Sequence, residues 1–153
     1  MSEEKFSIKI FPESGFMAAK FYGKVGLSDV LYFTQTIISL PEYSPEYPLI
    51  CDFRECKAIG YRIDVPEFLK YYRSKITIPK KKKYGFIYST LNQKFIFSIL
   101  KLSGPKLNLE MELFEGLKEC LDWMETDLQL ASQIESFFKS KNTSDTGRMQ
   151  PKG

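Results

Sequence analysis

Residues 48–53 read PLICDF, six residues of which only Asp52 is charged, with EYSPEY before them and Arg54-Glu55 directly after. Its apolar residues do not alternate with polar ones, so neither face is meant for water. A run this short, flanked by turn signals, reads as an interior β-strand covered on both faces. Downstream, Asp64 and Glu67 have capping-box spacing at the head of a helix over 64–76, whose inner face is Phe68, Leu69, Tyr72 and Ile76 and which ends before Pro79. YGFIYS (84–89) is the next strand, and 92–102 a helix with Phe95, Ile96, Ile99 and Leu100 inward, stopped by Gly104 and Pro105. LNLEMELF (107–114) alternates cleanly, with Glu110 and Glu112 on its wetter face, and 115–125 is a helix striped by Leu117, Cys120, Leu121 and Met124. Upstream, Ser28 caps a helix carrying Val30, Phe33, Ile37 and Ile38, which Pro41 terminates. FSIKIF (6–11) and FMAAKFY (16–22), joined by Pro-Glu-Ser-Gly, form an opening β-hairpin that Gly23 to Gly26 ends. The order β, β, α, β, α, β, α, β, α is that of one α/β domain over residues 1–125.

After Thr126 comes an additional amphipathic helix over 126–139, striped by Leu130, Ile134, Phe137 and Phe138. That stripe must be buried, either against its own domain, as a homodimer contact, or as a lid over a ligand. Residues 140–153 are polar and read as a disordered tail.

Composition narrows the function. A chain of 153 residues with 43% hydrophobic and 27% charged residues is long enough to bury a core without disulfides or metals. No apolar run is long enough for a membrane span, and MSEEKFSIKI has no signal-peptide pattern, so a cytoplasmic location is expected. Histidine is absent, which removes the commonest general base, the Ser/His and Cys/His pairs and most catalytic zinc sites. No enzyme, no metal and no cofactor is expected. Of the three cysteines, Cys51 and Cys120 read as small core residues, whereas Cys56, after charged Arg54 and Glu55 in an expected loop, is the one thiol placed to react.

A net charge of +3 hides a polarity: residues 68–109 hold ten basic residues and no acidic one, leaving −7 elsewhere. Lys80, Lys81, Lys82 and Lys83 form an expected loop presenting four adjacent ammonium groups, with Arg73 nearby on the preceding helix. Such a surface suits a protein partner with an acidic face. The near-balanced total argues against nucleic acid, and no exposed amphipathic anchor is evident beside the lysines to dock them on a membrane. Asp52, Arg54 and Glu55 stand where an open α/β sheet binds ligands, at the carboxyl end of the central strand. A phosphoacceptor role for Asp52 lacks its partners: FPESG supplies only Glu13, and LFEG supplies no lysine.

The hairpin FSIKIFPESGFMAAKFYGKV with its Tyr22-Gly23 ending, the helix LSDVLYFTQTIISL, the strand PLICDFRE with Asp52 and Arg54, and the closing EGLKECLDWM together resemble the STAS-like family of SpoIIAA-like proteins over residues 5–125. The resemblance implies a mixed five-stranded sheet with helices mainly on one face. It also implies a cytoplasmic bacterial signalling protein that works by binding other proteins and, in some relatives, a small apolar molecule or lipid. Where the family carries a phosphorylated serine, AIGYRIDVPEF has none, and no serine or threonine occurs between Cys56 and Arg73. The usual phosphoserine switch is therefore not expected. What remains is a non-enzymatic interaction or regulatory module, with a binding protein for a small apolar molecule as the alternative.

Overall fold

The computed structural model describes residues 5–58 and 64–140. Most of the expected 140–153 tail, and the middle of AIGYRIDVPEF, lie outside the described residues, as does the side chain of the expected cap Asp64. Five strands, β1 (Phe6–Phe11), β2 (Phe16–Val25), β3 (Leu49–Ala58), β4 (Lys82–Ile87) and β5 (Leu109–Phe114), form one sheet in that order. β1 and β2 pair antiparallel, and every later pairing is parallel.

Sequential parallel strands dictate where the helices go. Parallel crossovers share one hand, so stepping across the sheet in a single direction puts every connecting helix on the same face. α1 (Leu27–Ser39), α2 (Asp64–Lys75) and α3 (Leu91–Ser103) obey this, packing Phe33, Ile37, Tyr72 and Phe97 against Met17, Phe21, Leu49, Cys51, Phe53 and Phe86. The other face would be bare but for α4 (Leu117–Met124) and α5 (Leu128–Lys139), which follow the last strand and cover Phe16, Ala18, Ile50 and Ile87 with Cys120, Met124, Leu130, Ile134 and Phe138. β3 is thus covered on both sides, as the unbroken apolar run predicted. Three of the five helices lie on the first face, the mixed sheet and helix distribution that the resemblance implies.

α5 is a separate helix, capped by Asp127, whose carboxylate accepts from the Leu130 N–H at 2.8 Å. Its stripe is spent inside its own domain: Ile134 is completely buried, Leu130 and Phe138 are buried, and Phe137 is half-buried. Of the alternatives for Leu130, Ile134, Phe137 and Phe138, this is packing against their own domain, on the sheet face that α4 also covers. Lys20, in the middle of β2, is buried beneath α5, and its Nζ donates to the carbonyls of Phe138, at 3.1 Å, and Ser140. A cation at a helix carboxyl end satisfies orphan carbonyls and complements the dipole.

Several boundaries moved for local reasons. β2 continues past Gly23, whose φ of 77° is easy only for glycine, after a register shift between Lys20 and Tyr22. α1 starts at Leu27, so Gly26 rather than Ser28 is its cap, with the Gly26 N–H donating to Asp29 Oδ2 at 2.9 Å. β3 runs to Ala58, six residues beyond the Asp52–Ile87 pairing at which its contact with β4 ends. Gln93, completely buried on α3, supplies what β4 no longer can: its Nε2 donates to the carbonyls of Phe53 (3.0 Å) and Cys56 (2.8 Å), and its Oε1 accepts from the Ser89 N–H (2.8 Å).

Candidate functional site

Between the sheet and α1–α3 lies a cavity of about 140 Å³, walled by Met17, Phe21, Phe53, Phe86, Phe97 and Met111, with Val30 and Thr34 from α1 and Tyr72 from α2. The wall is almost wholly apolar. Thr34 gives its hydroxyl to its own helix, donating to the Val30 carbonyl at 3.0 Å, and the hydroxyls of Tyr72 and Tyr84 meet each other at 2.6 Å. Burial raises both phenols' pKa, so they stay neutral across the physiological range. An aromatic frame holds the wall rigid: Phe21 stacks on Phe53 with centroids 4.5 Å apart and planes 12° apart, and Phe97 contacts Phe53 at 4.6 Å and Phe86 at 4.9 Å. The three cysteines are all buried. Burial pushes the Cys56 and Cys120 thiols up to about 12 and Cys51 higher still, so none supplies a thiolate near neutrality. The expected reactive loop thiol Cys56 is instead a buried strand residue facing the cavity.

The charged candidates fall at opposite edges of the sheet. At its carboxyl edge, Asp52 is buried and receives a bidentate fork from Arg54, Nε to Oδ1 at 2.9 Å and Nη2 to Oδ2 at 2.8 Å, plus the Arg54 backbone N–H at 3.0 Å. Hydrogen bonding to Asp52 raises the pKa of Arg54, and Glu55 stands exposed beside it. The pair joins two residues of β3 at the point where its pairing with β4 ends. At the amino edge, residues 76–81 join α2 to β4, and Arg73, Lys80 and Lys81 are exposed.

Lys82 and Lys83 correct the four-lysine loop, because β4 begins at Lys82 and its alternation turns the two side chains to opposite faces. Lys82 is buried, with Nζ 5.1 Å from the centroid of the Tyr84 ring and no hydrogen-bond partner among the described residues. Burial lowers its pKa from 10.5 to about 8. Lys83 is half-buried over the Trp123 ring, at 4.8 Å, and donates to the Trp123 carbonyl at 2.7 Å, closing the end of α4. Among the described residues no cluster of His, Cys, Asp or Glu could hold a metal, and no helix is long and apolar enough to cross a membrane.

An antiparallel hairpin continued by sequential parallel strands, with helices over both faces, is an α/β arrangement with a SpoIIAA-like fold. Among solved structures the chain is similar to the crystal structure of an uncharacterized protein from the DUF3478 family with a SpoIIAA-like fold, from Shewanella loihica PV-4. The TM-score is 0.54 at 20% sequence identity, covering 81% of this chain and 98% of that one. At that identity the likeness establishes the fold alone. No family description matches the sequence, and no curated protein does.

Proposed function

We propose that this protein is a non-enzymatic binding module that holds a small apolar molecule in the cavity between its sheet and α1–α3. The observation that carries this is the cavity itself. The size and the almost wholly apolar lining of the pocket suit a molecule of roughly the dimensions of benzene. The lack of histidine and the protonated state of the buried thiols support binding over catalysis.

Two measurements test it. Organic extraction of the purified protein followed by mass spectrometry is expected to release a small apolar compound. Titration of emptied protein with toluene is expected to shift the Met17 and Met111 methyl resonances, and Val30→Phe, which fills the chamber, to abolish the shift. Absence of both an extracted compound and a toluene response rejects the reading. The regulatory, protein-binding role implied by the resemblance has the exposed Arg73, Lys80 and Lys81 in its support. It predicts an acidic partner whose affinity falls on Lys80→Glu and Lys81→Glu.

A further inference from the structure

α3 lies on the outside of the domain and, beside the exposed polar Lys94, Ser98 and Lys101, carries apolar residues on its outer side as well as its inner one. Gln93 and Phe97 are buried and Ile96 and Leu100 half-buried on its inner side. On its outer side Leu91 is 82% exposed, Leu102 81% and Phe95 51%. At 3.6 residues per turn these three fall within an arc of about 40° and extend about 16 Å along the axis. They form one ridge, whereas the other exposed large apolar side chains among the described residues, Tyr32 and Leu128, belong to different helices, α1 and α5. A ridge of two leucines and a phenylalanine is not the usual outer face of a surface helix.

The charge beside the ridge has one sign. Lys94 and Lys101 flank it and Lys106 follows in the 3-10 turn Gly104–Leu107, all three exposed. Lys70, Arg73 and Lys75 are exposed on α2, which packs next to α3, and Lys80 and Lys81 follow. No acidic residue occurs from 68 to 109; acids reach this side from β5 and the turn after it, Glu112 accepting from Lys101 Nζ at 2.9 and 3.1 Å and Glu115 accepting at 3.3 Å from the hydroxyl of Tyr88, over whose ring Lys94 lies. Protein–protein interface cores are depleted of lysine. An apolar ridge bordered by exposed lysines is the composition of a helix lying in a membrane interface, where lysine stems run along the apolar surface and the ammonium groups turn to the headgroups. Here Lys94 Nζ lies 5.8 Å from the centroid of the Tyr88 ring and Lys101 Nζ is held by Glu112.

We propose that the outer face of α3 docks the protein on an anionic lipid bilayer, with Leu91, Phe95 and Leu102 seated below the headgroups and Lys94, Lys106 and the α2 cations meeting lipid phosphates. This stands independently of the cavity, since it uses the opposite side of the helix.

The test is co-sedimentation with vesicles of phosphatidylcholine alone and of phosphatidylcholine mixed with phosphatidylglycerol, at low and at physiological salt. The wild type is expected to bind the anionic vesicles and to leave the neutral ones. Phe95→Ser combined with Leu102→Ser, checked for an unchanged fold by circular dichroism, is expected to lower the partition coefficient about a hundredfold, roughly tenfold for each apolar side chain withdrawn from the interface. Lys94→Gln and Lys106→Gln are each expected to lower it about fivefold. Phe95→Trp should show a blue-shifted emission on anionic vesicles. Failure to bind anionic vesicles overturns the proposal, and so does equal binding by the Phe95→Ser/Leu102→Ser variant, which would reduce the effect to adhesion by charge. Equal binding to neutral vesicles overturns the anionic requirement. Loss of a homodimer in that variant without vesicle binding would assign the ridge to a second copy of the chain instead.

Discussion

Replacing Lys82 by methionine keeps the length and the apolar stem of the side chain and removes only the ammonium group. In the folded protein that group is buried against the Tyr84 ring with no hydrogen-bond partner among the described residues, and burial lowers its pKa from 10.5 to about 8. A base whose folded pKa is depressed holds its proton more weakly in the native state than in the unfolded one, so at neutral pH its charge destabilises the fold. The gap between 10.5 and 8 is worth about 3 kcal/mol, of which the ring contact already returns a part within the native state. Lys82→Met is therefore expected to be more stable than the wild type by about 2–3 kcal/mol at pH 7. The penalty is fully present below pH 8 and fades as pH rises from 8 to 10.5, since the unfolded chain then binds the extra proton. Urea unfolding of both proteins from pH 7 to 10, followed by Trp123 fluorescence, measures the difference. The raised thiols and phenols make both proteins less stable at high pH and cancel in the comparison. A variant no more stable than the wild type at pH 7, or a difference that does not narrow with pH, would refute the burial of this ammonium group.

Three further outcomes follow from packing and hydrogen bonding. A Cβ on Gly85 would stand 2.6 Å from Cys120 Sγ, so Gly85→Ala should cost about 1–3 kcal/mol in urea unfolding, and adding Cys120→Ala should recover most of it; additive effects would contradict the docking of α4 on β4. Gln93→Leu leaves the carbonyls of Phe53 and Cys56 and the Ser89 N–H without their side-chain partner, for a loss of about 3 kcal/mol and faster amide exchange at the end of β3. All three thiols should resist a disulfide reagent at pH 8 in the native protein and react promptly in urea, and rapid native labelling of Cys56 would restore the exposed loop that the sequence suggests.

The legible part of the fold is that written by periodicity. The unbroken PLICDF, the alternating LNLEMELF and the stripe of α5 each declare their environment, because burial is decided there by the element's own period. The errors occur where a residue's environment is made by a distant part of the chain. Phe95 and Phe97 stand two apart in a helix rich in apolar residues, and only the tertiary contact with Phe53 and Phe86 selects Phe97 as the inner one. Lys82 belongs to a run of four identical residues in which nothing local marks where β4 begins; its pairing with Leu109 settles that. Gln93 looks like an ordinary surface residue until β3 is seen to outrun β4. The cavity has no sequence signature, since it is a mismatch of volumes among apolar side chains. Of the candidate site residues, Asp52 and Arg54 do pair, but with each other, which their spacing on one strand face allowed.

The anchoring of α5 by Lys20 bears on how the chain is made. Lys20 donates to carbonyls 118 and 120 residues further on, so the contact that seats the helix joins a part translated early to one translated late. Until α4 and α5 have left the ribosome, Ile50 and Ile87 in the middle of the sheet have no helix to lie under on that side, and until α5 has followed, Lys20 lacks the carbonyls of Phe138 and Ser140. Such long-range closure slows folding and leaves an apolar sheet face open to nascent-chain binders during synthesis. Completion of this domain is thus timed by translation of its last described helix, whatever the rate at which the first four strands find their order.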